Sequence, residues 1–343
     1  MSTGVLLMST VTARMAGRDA WLTIVVAAGA GLLLIPVLTA LGRRFPGETV
    51  IQYLPRLLGR PLGRLLGLLV LWYFLYLSAI LPREFADFIG YSVLPSTPRV
   101  VVLTAILTVC AALVRAGCEP LVRTAEVLVP LSVLFNLVLF VLIGKDIEVA
   151  RILPVLENGP LPLLKASAVP AVWFGQLFAI AFLLPKVNVP RRAARAMVGG
   201  VLASAALLTL CEFVVVTLLD RLTPRFIFPV WQVARYVSVA EFLEHLDAAF
   251  LIACMEGVLI KVSLIYYAVA VGTAQWLGLR DYRPLVLPIG ALLVSLSLAS
   301  FRDIPHFTSF LATAAPPFFF SYEYLLPVGL LAVAWLRGKG LRQ

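Results

Sequence analysis

RILPVLENGPLPLLKASAVPAVWFGQLFAIAFLLPKVNVP, residues 151–190, decides how the rest of the chain is read. Within it, Ala166 to Leu184 is apolar and uncharged over about the length that crosses a bilayer core. The same segment carries Pro170 and Gly175, both poor inside a helix. In lipid, each backbone N–H or C=O released by a break needs another partner. A broken membrane helix is therefore a place where backbone meets ligand, as at the substrate sites of transporters. A kinked helix packed on its neighbours is the plainer reading.

Composition settles the solvent. Of 343 residues, 61% are hydrophobic and 13% charged, about half the charged fraction of a soluble domain. Most of the chain must lie in lipid. A net charge of +10 raises nucleic acid as a partner, but the basic residues form short clusters between apolar segments, as expected for loops beside anionic lipid. The cysteines, Cys110, Cys118, Cys211 and Cys254, form no C-x-x-C pair, so neither a disulfide framework nor a zinc site is indicated. No Walker loop, G-x-S-x-G or metal-ligand cluster is present, and His245 and His306 are far apart in predicted loops. The sequence reads as a non-enzyme without cofactor.

Ten apolar segments follow in order, all expected to be helical in a single polytopic domain over 1–343. The first, Thr3 to Ala13, is too short to span and reads as the second half of a truncated helix. Full spans are expected at 21–41, 65–81, 100–114, 127–144, 166–184, 197–219, 248–277, 285–301 and 317–336. Basic loops set the orientation. Arg43, Arg44, Arg56, Arg60, Arg64, Arg191, Arg192 and Arg195 fall on the side read as cytoplasmic, with both termini. Arg83, Asp87 and the segment from Asp220 to Asp247 are placed in outer loops.

Charges inside spans are functional candidates. Lys261 lies 14 residues from Asp247, about 21 Å along a helix. A lysine stem is far shorter, so a centred span forces Lys261 toward the bundle interior or a wet cavity. A span displaced outward would put it in the outer half instead. Glu256 points away from Lys261 and either lines the outer vestibule or packs on a partner. Glu212, between Cys211 and Phe213, is either protonated or bonded to a neighbouring helix. Tyr73 lies near mid-span, whereas Tyr76 reads equally as a packing aromatic.

Several stretches carry a family resemblance. They are Arg151-Ile-Leu-Pro-Val-Leu-Glu-Asn-Gly-Pro-Leu-Pro162, Phe174-Gly-Gln176, Phe182-Leu-Leu-Pro185, Glu241-Phe-Leu-Glu-His-Leu-Asp247 and Gly257-Val-Leu-Ile-Lys261. Leu277-Gly-Leu-Arg-Asp-Tyr-Arg-Pro284, Ala16-Gly-Arg-Asp-Ala-Trp21, Phe45-Pro-Gly-Glu48 and Arg123-Thr-Ala-Glu126 join them. Together they resemble the spore-germination permease family, the B subunit of GerA-type germinant receptors, within the amino acid–polyamine–organocation superfamily. The resemblance implies an all-α membrane protein of LeuT type, with inverted five-helix repeats (about 1–144 and 166–336) whose first and sixth helices are broken. Gly4 and the Pro170/Gly175 pair then occupy corresponding positions in the two halves. The family's Gly-x-Gly appears here as Ser2-Thr3-Gly4, and Gln176 stands where the family often has Glu.

The expected ligand site is Ser2, Thr3, Gly4, Tyr73, Phe174, Gly175, Gln176, Phe178 and Lys261, with Glu212 and Glu256 as further intramembrane charges. Lys261 is expected to take the place of a bound cation. A zwitterionic amino acid suits a broken helix, whose N–H end favours carboxylate and whose C=O end favours ammonium. The resemblance further implies a germinant-sensing subunit in the inner membrane of the spore, with A-type and C-type partner subunits. The alternative is an amino acid or amine permease with net transport, which the same fold serves.

Overall fold

The computed structural model describes residues 4–186, 190–239 and 246–338, and every regular element among them is helical. Ser2 and Thr3, like Glu241, Glu244 and His245, lie outside the described residues. Nine stretches among them are long and apolar enough to cross a membrane. The first, Leu6–Arg44, contains two helices. α1 (Gly4–Ala16) is joined to α2 (Ala20–Arg44) by a 3-10 turn at Gly17–Asp19. Gly17 takes φ +59, a left-handed value that glycine adopts without strain. α1 packs back on α2, so the chain reverses there. At about 1.5 Å per residue, α1 reaches only about half as far as α2, and its first described turn falls near mid-bundle.

A short helix, α3 (Val50–Leu58), follows the basic Arg43–Arg44 end, with the Thr49 N–H donating to Gln52 Oε1 at 3.0 Å. Gly59 at φ +92 then turns the chain into α4 (Arg60–Ser92). Gly63 lies so near α3 that a Cβ there would sit 2.4–2.6 Å from backbone atoms of Leu54 and Pro55. α4 runs well past Leu81, where the apolar segment ends. Pro82 does not stop it, and Arg83, Glu84 and Asp87 are all buried. The loop placement of Arg83 and Asp87 is thus corrected. Arg83 donates to Asp87 Oδ2 at 2.9 Å and to the carbonyls of Ser297 and Phe301, both at 2.8 Å. Paired charges that satisfy open helix-end carbonyls can be buried where single ones cannot.

α5 (Arg99–Ala116) and α6 (Cys118–Ile143) complete the first half. α7 (Pro160–Gly175) begins before the apolar run and passes through Pro170 unbroken. Its α-geometry ends at Gly175, and 3-10 turns carry Gln176–Phe182. The expected break at Pro170 therefore lies at Gly175 alone. α8 (Pro190–Leu219), α9 (Pro229–Val239), α10 (Leu246–Leu277) and α11 (Arg283–Ser300) follow. α12 (Ile304–Thr313) is capped by Asp303, which accepts from the His306 N–H at 2.8 Å. The last expected span is three pieces: α13 (Ala315–Phe320), a π-helical turn (Ser321–Leu325) and α14 (Leu326–Leu336).

α1 lies along α7, α2 between α7 and α8, and α4 along α10 and α11. Large apolar side chains face outward from the bundle, among them Leu33 at 74% and Val141 at 79% exposure. Such a belt suits lipid rather than water.

Candidate functional site

The centre of the bundle is organised by the end of α7 and the π turn opposite it. Pro327, near the start of α14, has no N–H to give the carbonyl four residues back. The ladder widens there, and Leu326 N–H reaches Ser321 O, five residues back. That extra residue presents Glu323 and Tyr324 to α7. The Tyr324 hydroxyl donates to Ala171 O at 2.8 Å. A Cβ on Gly175 would lie 2.7 Å from the Tyr324 ring and would overlap the Glu323 carboxylate. Gly175 is required here by close approach, since its φ of −64 is open to any residue.

Glu323 is fully buried, and its Oε1 accepts from the Tyr73 hydroxyl at 2.8 Å. Tyr73 stacks on Tyr322 at 5.2 Å and tilts against Phe178 at 6.3 Å between ring centroids. Glu84 stands eleven residues beyond Tyr73 on α4. That spacing keeps nearly the same helix face, about 16 Å along the axis. The Leu7 backbone N–H of α1 faces the Glu84 carboxylate. Lys261 on α10 is partly buried and interacts electrostatically with both Glu84 and Glu323. α1, α4, α7, α10 and the π turn thus converge on one charged cluster.

Of the expected site residues, the structure brings Tyr73, Gly175, Phe178 and Lys261 to this region, and Gly4 opens α1. Gln176 follows the break, and its Oε1 is buried with no hydrogen-bond partner among the described residues. Phe174 turns the other way. It packs on Gly31 of α2 and lines an apolar cavity of about 420 Å³ with Trp173, Met197 and Leu208.

The other expected charges have separate surroundings. Glu212 of α8 is bonded to a neighbouring helix, accepting from Ser9 and contacting Thr12 Oγ1 at 2.9 Å, both on α1. Glu256 accepts from Ser132 of α6 at 2.9 Å. Tyr76 is a packing aromatic between Trp72, Phe310 and Phe318.

Glu84 and Glu323 are absent from the sequence-derived site. Glu323 had a legible signal, a lone carboxylate inside an apolar run. Glu84 lies beyond the apolar run that marks its span, between Arg83 and Asp87, so no lone charge in an apolar run singles it out.

The profile of the spore germination protein family matches residues 1–303. Spore germination protein KB of Bacillus subtilis (strain 168) is 27% identical over 95% of this chain and 89% of its own length. Spore germination protein XB of Bacillus anthracis is 24% identical over 74% and 71%. In architecture the chain is similar to the transporter MhsT, in its crystal structure in complex with L-phenylalanine, with TM-score 0.64 and 14% identity over 97% of this chain and 94% of that one. A bundle whose described elements are all helical, with α7 (the expected sixth span) interrupted at Gly175 and an architecture shared with MhsT over 97% of the chain, has the LeuT-type fold, and the chain belongs to the spore germination protein family, whose members are permease-like membrane proteins.

Proposed function

We propose that the protein is a germinant-sensing subunit of a spore germination receptor, binding a small molecule where α1, α7 and the π turn meet. The observation that carries this reading is the interrupted α7 at Gly175, set against Glu323 and Tyr73 within the fold of a transporter. The proposed site comprises Ser2, Thr3, Gly4, Tyr73, Gly175, Gln176, Phe178 and Lys261, without Phe174, which faces the cavity beside α2 and α8. An amino acid is the favoured ligand class, supported by the L-phenylalanine bound by MhsT. Ligand binding shifts a conformational equilibrium because one state is favoured over the other. A-type and C-type subunits in the inner spore membrane read the shift, with both termini of this chain cytoplasmic. The two halves, about 1–144 and 166–336, act as the inverted repeats.

The test is binding of an L-amino acid panel to the purified protein by thermal shift, beside Gly175→Leu. A stabilising ligand whose effect vanishes in Gly175→Leu supports the site. A ligand that stabilises both proteins equally places binding elsewhere. The fold equally serves net transport. Uptake of a bound ligand into proteoliposomes without partner subunits would replace the sensor reading with a permease.

A further inference from the structure

Glu323 stands at the C-terminal end of α7, the C=O end of a broken helix that favours an ammonium. It presses on Gly175 at the end of the α-helical part of α7 and accepts from the Tyr73 hydroxyl. The anionic group at this break is therefore supplied by the chain. A second carboxylate, Glu84, faces the first described turn of α1. Neither residue is more than 1% exposed, and Glu323 Oε2 and Glu84 Oε1 have no hydrogen-bond partner among the described residues. Lys261 is the described side-chain cation that both carboxylates share.

Two buried carboxylates and one lysine leave a surplus negative charge when both are ionised. Low-dielectric surroundings make such a charge costly, so the pair must take up either a proton or a cationic partner that brings donors. A primary ammonium brings three N–H donors and no acceptor. Its hydrogen bonds to carboxylate oxygen are the strong, charge-assisted kind. With an ammonium on Glu323 Oε2, Lys261 is left to neutralise Glu84, and charges balance two against two.

We propose that the site recognises its ligand through a primary ammonium group held by Glu323, with Glu84 retaining Lys261, and that a carboxylate on the ligand is dispensable. This rests on the broken-helix reading given under Proposed function and names what that site reads. Selectivity then runs opposite to a site built around carboxylate capture.

The full chain in lipid nanodiscs is titrated with matched probes by thermal shift. The amino acids are L-alanine, L-leucine and L-phenylalanine. Their decarboxylated amines, their N-acetyl forms, and the amine-free probes inosine and glucose complete the set. An amino acid and its amine are expected to bind within about tenfold of each other, and the N-acetyl form about 100-fold more weakly. Glu323→Gln keeps the volume and should weaken the amine by about tenfold or more. Glu84→Gln is the independent second variant. It frees Lys261 to neutralise Glu323 and should weaken the amine by a similar factor. An N-acetyl form that binds like its parent overturns the proposal, as does an amine that fails where its amino acid binds. Wild-type affinity in both variants overturns it as well. Stabilisation by inosine or glucose alone, abolished in Gly175→Leu, overturns the ammonium reading and leaves the broken-helix site standing. No shift with any probe, in a protein that melts cooperatively, removes the broken-helix site itself.

Discussion

Thr12 has one hydroxyl proton and three acceptors, Met8 O and Glu212 Oε1, both at 2.9 Å, and the more distant Ser9 O at 3.4 Å. If the proton goes to Met8, Glu212 must itself donate to Thr12. If it goes to Glu212, the carboxylate is ionised and holds two hydroxyl donors. A glutamine side chain reproduces the first pattern, with its NH₂ toward Thr12 and its oxygen toward Ser9. Glu212→Gln should therefore cost less than about 1 kcal/mol. Glu212→Ala removes the Ser9 and Thr12 partner and should cost about 1–3 kcal/mol, read by denaturation in mixed micelles. Equal losses of that size in the two variants would show that Glu212 is ionised and accepts from both hydroxyls, and a negligible loss in Glu212→Ala would show that this triad does not hold α1 on α8. Lys261→Met leaves two buried carboxylates without their shared cation. It should destabilise by about 3–5 kcal/mol, and adding Glu323→Gln should recover part of that loss. A double variant no more stable than Lys261→Met would mean that Glu323 is not among the charges that Lys261 compensates.

At the scale of elements, two interruptions face each other. The π turn is maintained by Pro327, and Tyr324 bonds it to Ala171 of α7. Deleting Tyr322 would return the span to α-geometry and rotate Glu323 by about 100° away from Tyr73. Ligand stabilisation should then disappear while the protein still inserts, an outcome separable by detergent-resistant expression alongside thermal shift. Arg83 is the corresponding joint at the other end of α4, where it gathers Asp87 and the last carbonyls of α11. Arg83→Met should cost about 3–5 kcal/mol, because those carbonyls and Asp87 lose donors inside the bundle. A loss below about 1 kcal/mol would show that water replaces the guanidinium. That helices at these places are interrupted or extended follows only partly from sequence. Gly175 was visible as a weak point, yet its reason, the approach of Glu323 and Tyr324, comes from a segment nearly 150 residues away. Pro170 looked equally disruptive and proved harmless to the α-helical run.

For the whole molecule, the basic loops predict which face meets the cytoplasm. Arg60 and Arg302 are exposed at opposite ends of the bundle. In a background with Cys118 replaced by serine, Arg302→Cys should label in intact cells with a membrane-impermeant maleimide, and Arg60→Cys only after permeabilisation. The remaining cysteines, Cys110, Cys211 and Cys254, are buried. The opposite labelling pattern would invert the orientation.

Sequence by itself determined the solvent, the helical class and nearly every span, because lipid demands long uncharged runs whose backbone bonds close within each segment. It also determined the family, through motifs spread along most of the chain. It placed Tyr73, Gly175 and Lys261 among the candidates, because polar or helix-weakening residues in apolar runs stand out locally. Only the tertiary structure decided that Glu84 and Glu323 share Lys261, that Phe174 turns away, and that Arg83 and Asp87 are interior. Those facts depend on which helices touch. A buried charge is legible as such only when the partner that makes its burial tolerable is known.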